Sequence, residues 1–395
     1  MSRDVVLHVG KVTRISGSEA HLLLLLPELR ARGWDVRFLL LHEDEPGAWE
    51  FAAKLDDAGV PVEGVRLPRA ADPLALGRVV RIVRRHRPVI LHTHLVHADF
   101  YGLVAGRLAG VPVLASTKHG FNPFRSGRAF AAADRGIGRL LDLHVAISGG
   151  LARYLTETEG FPEGSFEVVH YGIVPGPEPP PPPVTPRIAV VGRLIPIKGH
   201  DVLLEAVAQL APGLPGLEVA IAGAGPLEAE LRAQASALGV DGVVRFLGHR
   251  PAGDVMEQAA IVAVPSFGEG FGMVALEAME RGRAVVASDV GGLPEIVVDG
   301  VTGMLVPPAD PGALASALGA LAGDPERARA LGAAGRARVH EAFTQERCTS
   351  RTEELYRAVL RRKGLADGRR RASSSHDRAS ANAASTASST SNGAR

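Results

Sequence analysis

Apolar positions in the first 170 residues fall into short unbroken runs separated by longer stretches with helical spacing. The runs at 5–9, 36–41, 89–92, 113–116 and 143–147 are too short for helices and lack the in–out alternation of a half-exposed strand. They read as strands buried on both faces, the signature of a parallel sheet covered by helices. Residues 19–32, 73–86 and 99–109 read as the intervening helices, the first ended by Gly33. Pro27 lies inside that first helix, where its missing N–H predicts a kink.

The same rhythm restarts after residue 186. Strands are expected at 188–191, 218–222, 243–246, 261–264, 284–287 and 303–306. Helices are expected at 201–210, 226–238, 273–281, 313–322, 326–342 and 349–362. Residues 175–186, between the two halves, are dominated by proline. Such a stretch excludes helix and central strand and reads as a stiff, extended spacer. From 364 the chain turns to Ser, Ala, Arg and Asn and is expected to be a disordered tail.

Composition narrows the function classes. The chain has 395 residues, enough for two domains, with 46% hydrophobic and 22% charged residues. These values fit a soluble globular protein. A formal net charge of +1 gives no case for nucleic-acid binding. Cys348 is the single cysteine, which excludes an internal disulfide and a cysteine-based zinc site. No apolar run nears the roughly 20 residues of a spanning helix. Met-Ser-Arg-Asp leads directly into a short strand, without the apolar core of a secretory leader. A cytoplasmic location is therefore expected, with peripheral contact on the cytoplasmic membrane face as an extension.

The densest chemical signal is Glu-Gly-Phe-Gly-Met-Val-Ala-Leu-Glu, from Glu269 to Glu277. It follows an apolar run and reads as strand, glycine-rich loop, then helix. A helix start there points unpaired N–H groups and a positive dipole end at the loop, the setting for a phosphate. Were all intervening residues helical, the two carboxylates would lie roughly 12 Å apart. That is the scale of a sugar joined through two phosphates to a nucleoside. The plain alternative is a solvated helix with two surface acids. After the restart strand come Gly192, Arg193 and Lys198. The glycine permits close backbone approach, and the two cations suit a diphosphate better than chance surface charges.

Gly17 stands just before a helix start in Ile15-Ser16-Gly17-Ser18-Glu19, with Ser18 the expected N-cap. Ala222-Gly223-Ala224-Gly225 resembles half a dinucleotide fingerprint, but Glu228 replaces its third glycine. His92, His94 and His97 invite a metal reading, with Asp99 the nearby carboxylate. Hydrogen-bonded wall residues are the better expectation there. His119, beside Gly120 in Thr117-Lys118-His119-Gly120-Phe121-Asn122, is the stronger site candidate. Arg78, Arg81, Arg84, Arg85 and Arg87, with Arg125, Arg128, Arg135 and Arg139 further on, read as solvated faces or as attraction to anionic lipid.

Taken together, these stretches resemble the retaining GT-B-fold glycosyltransferases of the large family-4 type. The match covers the Gly17 loop, 89–94, 191–199, 267–277 and 288–303. The resemblance implies an α/β fold of two Rossmann-like domains facing across a cleft. Residues 1–174 would form the acceptor-side domain, 175–186 the linker, and 187–345 the sugar-nucleotide domain. Residues 346–363 would form a helix crossing back to the first domain, followed by the tail at 364–395.

By resemblance, Arg193 and Lys198 bind the diphosphate, with Gly192 beside them. Glu277 takes the ribose. Glu269 and the amides of Gly270, Phe271 and Gly272 take the donor sugar. Arg250 falls in the base-binding loop, Gly17 completes the phosphate site and His119 reaches the donor sugar. The sequence departs from the family at Ser16-Gly17, usually two glycines. It departs again at Tyr171-Gly172-Ile173-Val174, usually Asn-Gly-Ile-Asp.

The implied activity is transfer of a hexosyl group from a UDP- or GDP-sugar to an acceptor hydroxyl, with retention of configuration. No metal or other cofactor is expected. The acceptor is expected in glycolipid, polysaccharide or another glycoconjugate, lipid-linked in one version. The rivals are a sugar-nucleotide epimerase on the same scaffold and a non-catalytic sugar-nucleotide sensor.

Overall fold

A computed structural model describes residues 4–68, 72–121, 136 and 138–365. Asn122, Arg125, Arg128, Arg135 and the tail from 366 lie outside the described residues.

The described strands form two all-parallel sheets. The first has seven strands in the order β3-β2-β1-β4-β5-β6-β7. These are β1 Val5–Lys11, β2 Asp35–His42, β3 Val62–Arg66, β4 Ile90–His94, β5 Val113–Lys118, β6 Leu143–Ala146 and β7 Glu167–Val168. The second has six, in the order β10-β9-β8-β11-β12-β13. They are β8 Arg187–Val191, β9 Glu218–Ala222, β10 Val244–Gly248, β11 Ile261–Val264, β12 Ala284–Ser288 and β13 Met304–Val306. Every residue of β4, β5, β11 and β12 is buried, as unbroken apolar runs require when helices cover both faces.

Strand order reverses beside β1 and β4 in the first sheet, and beside β8 and β11 in the second. Ligands of open α/β sheets bind at such reversals, outside the strands' carboxyl ends. The loops after β1, β8 and β11 carry Gly17, Gly192 to Lys198, and Glu269 to Gly272.

Several local expectations change. Helix Gly17–Ala31 runs through Pro27 as one assigned element. Its N-cap is Ser16, not Ser18: the Glu19 carboxylate folds back to accept from the Ser16 N–H at 3.1 Å and the Ser16 hydroxyl. The segment expected as one helix at 99–109 is a π-helical stretch Asp99–Leu103 followed by α-helix Val104–Ala109, with a short α-helical piece Val96–Ala98 just before it. Asp99 sets that irregularity. It accepts from Thr93, Ser116 and Lys118 on β4 and β5, which holds the backbone against the sheet. Helices Pro46–Asp57, Gly149–Glu159 and Ala252–Glu257 and strands β3 and β7 were not among the elements expected, although Ala48, Phe51 and Leu55, and Leu151 and Leu155, bury one face at helical spacing.

Residues 175–186 contain no helix or strand. They are pinned to the second half. Arg336 donates to the carbonyls of Gly176 and Pro177 at 3.0 Å each, and Arg283 to that of Pro180 at 2.9 Å. Glu280 accepts from the Gly176 N–H at 2.7 Å.

The last helix, Gln345–Arg362, packs on the first sheet's helical layer. Cys348, Leu355, Tyr356, Val359 and Leu360 share a core with Leu22, Leu25, Leu26 and Leu29. No helix among the described residues is long and apolar enough to cross a membrane.

Candidate active site between the two sheets

The glycine-rich loop after β11 is held backbone to backbone. A Cβ at Gly291 would lie 1.9 Å from the Glu269 carbonyl oxygen, and one at Gly292 2.7 Å from the Phe271 Cα. The Gly292 N–H donates to that Glu269 carbonyl at 3.0 Å. Only glycines at 291 and 292 let the 269–272 loop lie this low, so the stretch at 288–303 acts as its bed. Gly272, with φ of 118°, turns the chain into helix Met273–Glu280. Glu269 therefore sits in the loop and not on the helix, and the 12 Å helical spacing to Glu277 does not apply.

The helix start at Met273 faces the other half. A Cβ on Gly17 would lie 3.7 Å from the Met273 Cγ. Gly17 is the first residue of its own helix, so the starts of two helices meet across the cleft. Each brings unpaired N–H groups and partial positive charge to one place.

Lys198 comes from a short 3₁₀ turn, Pro196–Lys198, closed by Gly199 with φ of 63°. Its ammonium lies 2.5 Å from a Glu269 carboxylate oxygen, and the pair is only partly exposed. Ser266 donates to the same oxygen at 3.3 Å. The Lys198 stem passes over Gly192, 3.9 Å from where a Cβ would be.

The Arg193 guanidinium is exposed and has no hydrogen-bond or ion-pair partner among the described residues; the same holds for the guanidinium of Arg250, beyond β10. Glu277 is partly buried, and its carboxylate also has no such partner. Burial raises its pKa above the ordinary glutamate value, with Arg281 opposing.

Gly223 and Gly225 serve this site indirectly. Cβ atoms there would lie 1.7 Å from the Gly192 oxygen and 2.3 Å from the Leu194 oxygen. The half-fingerprint exists so that one loop can seat the other.

The first half supplies His119. Both ring nitrogens are engaged: Nε2 with His94 Nδ1 at 2.9 Å and Nδ1 with the Tyr171 hydroxyl. Burial, with nearby His21, keeps its pKa well below 6.5, so the ring is neutral at physiological pH. The His119 carbonyl and Gly120 Cα would lie 3.2 and 3.0 Å from a Cβ on Gly270, so this loop touches the acidic loop directly. Phe271 turns its buried side chain toward His170, Tyr171 and Phe343, leaving only its backbone for a ligand.

Of the metal candidates, His92 and His94 meet His8, not His97. Asp99 is taken by Lys118 at 2.6 Å and is not their partner.

Glu295 is a residue that sequence reasoning passed over. It accepts from the Gly149 and Gly150 N–H groups at 3.0 and 2.7 Å and from His170 Nε2 at 2.7 Å. It thereby fills the start of helix Gly149–Glu159 from the other half. Ser148 adds a 2.6 Å bond to the Gly270 carbonyl. Ser148 as N-cap with Gly149 and Gly150 opening that helix was the available signal.

Residues 16–172 match a glycosyl transferase 4-like domain, and residues 185–324 match glycosyl transferases group 1. A D-inositol 3-phosphate glycosyltransferase of Streptomyces griseus is 41% identical over 199 residues, 47% of this chain and 40% of that protein. The matched segment thus spans about two-fifths of that relative's length. An alpha-maltose-1-phosphate synthase of Mycolicibacterium smegmatis is 32% identical over 311 residues, 68% of this chain and 79% of that protein. Among solved structures, Anabaena HepE in complex with UDP and glucose superposes with a TM-score of 0.78 at 21% identity. That match covers 90% of this chain and all of the other. Sucrose-phosphate synthase of Thermosynechococcus elongatus gives a TM-score of 0.74 at 23% identity, covering 91% and 99%. Both share the two-domain GT-B architecture. With the fold, both domain matches and a relative aligned over most of its length in agreement, the chain belongs to the GT-B-fold glycosyltransferases of the family-4 type.

Proposed function

We propose that the chain transfers a hexosyl group from a nucleoside-diphosphate sugar to an acceptor hydroxyl, with retention of configuration. The observation that carries this is the meeting of two helix starts, at Gly17 and Met273, the second following directly on the loop that carries Glu269 of the Lys198–Glu269 pair. That place suits a pyrophosphate. Its oxygens take Lys198 and the free Arg193, and Glu269, released from Lys198, turns to the sugar hydroxyls. Glu277 accepts from the ribose, and Arg250 lies by the base. A UDP-sugar is the favoured donor, supported by solved neighbours bound to UDP and to UDP-glucose.

Fixed positive groups aimed at the departing diphosphate supply the charge stabilisation that a metal would otherwise give. The acceptor attacks from the face the diphosphate leaves, and a phosphate oxygen takes the proton. The names of the relatives favour a small phosphate-bearing acceptor or product. A second reading, a lipid-linked acceptor reached by peripheral binding to anionic membrane, is favoured by helix Pro73–His86. It exposes Arg78, Arg81, Arg84, Arg85 and Leu74 along one stretch.

The test is nucleotide release from UDP- and GDP-hexoses in the presence of inositol phosphates, sugar phosphates or lipid extracts. NMR of the product gives the anomeric configuration. Release of UDP with an α-linked product from an α-linked donor is expected. Epimerised nucleotide without acceptor selects the epimerase. Tight donor binding with no release across all acceptors selects the sensor. Co-sedimentation with anionic vesicles, weakened by charge reversal at Arg78 and Arg81, tests the membrane contact.

A further inference from the structure

A line of polar side chains runs from the cleft into the first half. The Tyr171 hydroxyl meets His119 Nδ1. His119 Nε2 meets His94 Nδ1 at 2.9 Å, and His94 Nε2 meets His8 Nδ1 at 2.8 Å. His8 Nε2 lies 3.4 Å from the Tyr356 hydroxyl, which meets His92 Nδ1 at 2.5 Å. His92 Nε2 then meets the Thr117 hydroxyl at 2.8 Å. His8, His92 and His94 are at most 2% exposed.

A neutral imidazole has one donor nitrogen and one acceptor nitrogen. Two imidazoles bonded to each other must therefore run in the same direction. If His119 carries its proton on Nε2, so must His94 and then His8; if on Nδ1, all three reverse together. Through Tyr356, His92 joins the same sense. Burial keeps all four rings neutral at physiological pH, with neighbouring histidines adding to the effect at His8, His94 and His119.

A shared metal is the competing explanation for His8, His92 and His94. The geometry opposes it. His8 Nδ1 and His94 Nε2 face each other at the distance of one shared proton, and His92 spends both nitrogens on Tyr356 and Thr117.

We infer that Tyr171 and Tyr356 are positioning residues that, through this head-to-tail chain, fix the orientation of His119 and bind its tautomer to those of His94 and His8. Tyr171 stands where the family's motif usually has asparagine. Tyr356 belongs to helix Gln345–Arg362, which follows the second half and packs on the first. The seating of that helix is thereby coupled to a ring beside the acidic loop. The catalytic part of this inference rests on the reading that His119 lines the donor-sugar site; the tautomer linkage does not.

The test uses the full chain with ¹⁵N-labelled histidine, read by long-range ¹H–¹⁵N spectra, in wild type, Tyr171→Phe and Tyr356→Phe. Phenylalanine keeps ring volume, and thermal melting checks the fold. His8, His94 and His119 are expected to share one neutral tautomer. Tyr171→Phe should move the ring signals of His8 and Tyr356→Phe those of His119, neither being adjacent to the change. Tyr356→Phe is further expected to lower kcat about tenfold or more with donor KM nearly unchanged. Different tautomers at His94 and His119, or signal changes confined to the mutated residue's direct neighbour, would overturn the linkage. One zinc ion per chain, removable by chelator, would overturn it in favour of a metal. Linked signals with unaltered kcat would remove the positioning role. Linked signals in a wild type that transfers nothing from any donor would leave the linkage standing and defeat the functional reading.

Discussion

Two cations and two acids of the site differ in what the fold has already done with them. Lys198 is committed to Glu269, whereas Arg193 and Glu277 lack such partners. Replacing Lys198 or Arg193 by alanine is expected to cost about 10²–10³-fold in kcat. Neither side chain belongs to a packed core, so the melting temperature should stay within a few degrees. Wild-type turnover in either variant would remove it from the diphosphate site. Glu277 carries a pH signature. Its pKa is raised, so its carboxylate is lost on acidification earlier than for an ordinary glutamate. Donor affinity should weaken as pH falls from above the usual glutamate range, and Glu277→Gln should flatten that dependence while weakening donor binding near neutral pH. Titration of donor binding by calorimetry across pH 4.5–7 would check both, with roughly 4.3 as the unperturbed reference. Arg193, Lys198 and Glu269 stood out in the sequence because they lie in loops after apolar strands, and Glu277 because it closes the same glycine-rich run inside the helix that begins at Met273. The engagement of both His119 nitrogens was not legible, because His94 and Tyr171 lie 25 and 52 residues away.

Secondary-structure elements meet across the cleft through helix starts, and each start is handled differently. Glu19 closes the first turn of helix Gly17–Ala31 from inside, leaving Gly17 open to Met273. Glu295, from the other half, closes the start of helix Gly149–Glu159. That occupancy removes the helix as a phosphate site and converts it into a joint. Burial works against ionisation of Glu295, yet the His170 bond and then the two backbone N–H groups win, holding its pKa below the usual glutamate range. The sign follows. Stabilisation is present above the unfolded value of about 4.3 and is lost as pH falls through the lower folded value. Glu295→Gln is expected to cost about 1–3 kcal/mol near neutral pH, a difference that shrinks below pH of about 4. Chemical denaturation at pH 7 and pH 3.5 would show it; an equal loss at both would mean the charge is not what matters. Strand-and-helix order was readable from periodicity, and the misses fell where tertiary bonds override it. The π-helical stretch at Asp99–Leu103 is one: three sheet side chains hold Asp99, an arrangement that no local pattern reports.

At the scale of the whole molecule, the last helix ties the halves together. Its start pairs with the linker entry, where the Ile173 N–H donates to the Phe343 carbonyl at 3.0 Å and the Gln345 N–H to the Ile173 carbonyl at 2.8 Å. Its body then packs on the first half, with Arg32 reaching Ser350 at 2.8 Å and Trp34 reaching Glu353 at 3.2 Å. Cys348 reports on this seating. It is 3% exposed, and burial pushes its thiol up to about 12. Modification by a thiol reagent should be orders of magnitude slower in the native protein than in denaturant, because only helix detachment exposes the group. Comparable rates would mean that the helix is not docked in solution. The apolar runs and the proline-rich break were sufficient, by themselves, for two parallel α/β halves, and the charged residues at loop ends for the expectation of a diphosphate-type site. Burial and phosphate chemistry leave local traces, in residue type and in spacing along a few turns of chain. Only the tertiary structure decided which loops face one another. Gly17 meets Met273, Glu295 meets residues 145 and 146 positions away, and a tyrosine of the last helix joins the histidines of β1 and β4. Such contacts arise from packing between distant segments, and no local period in the chain encodes them.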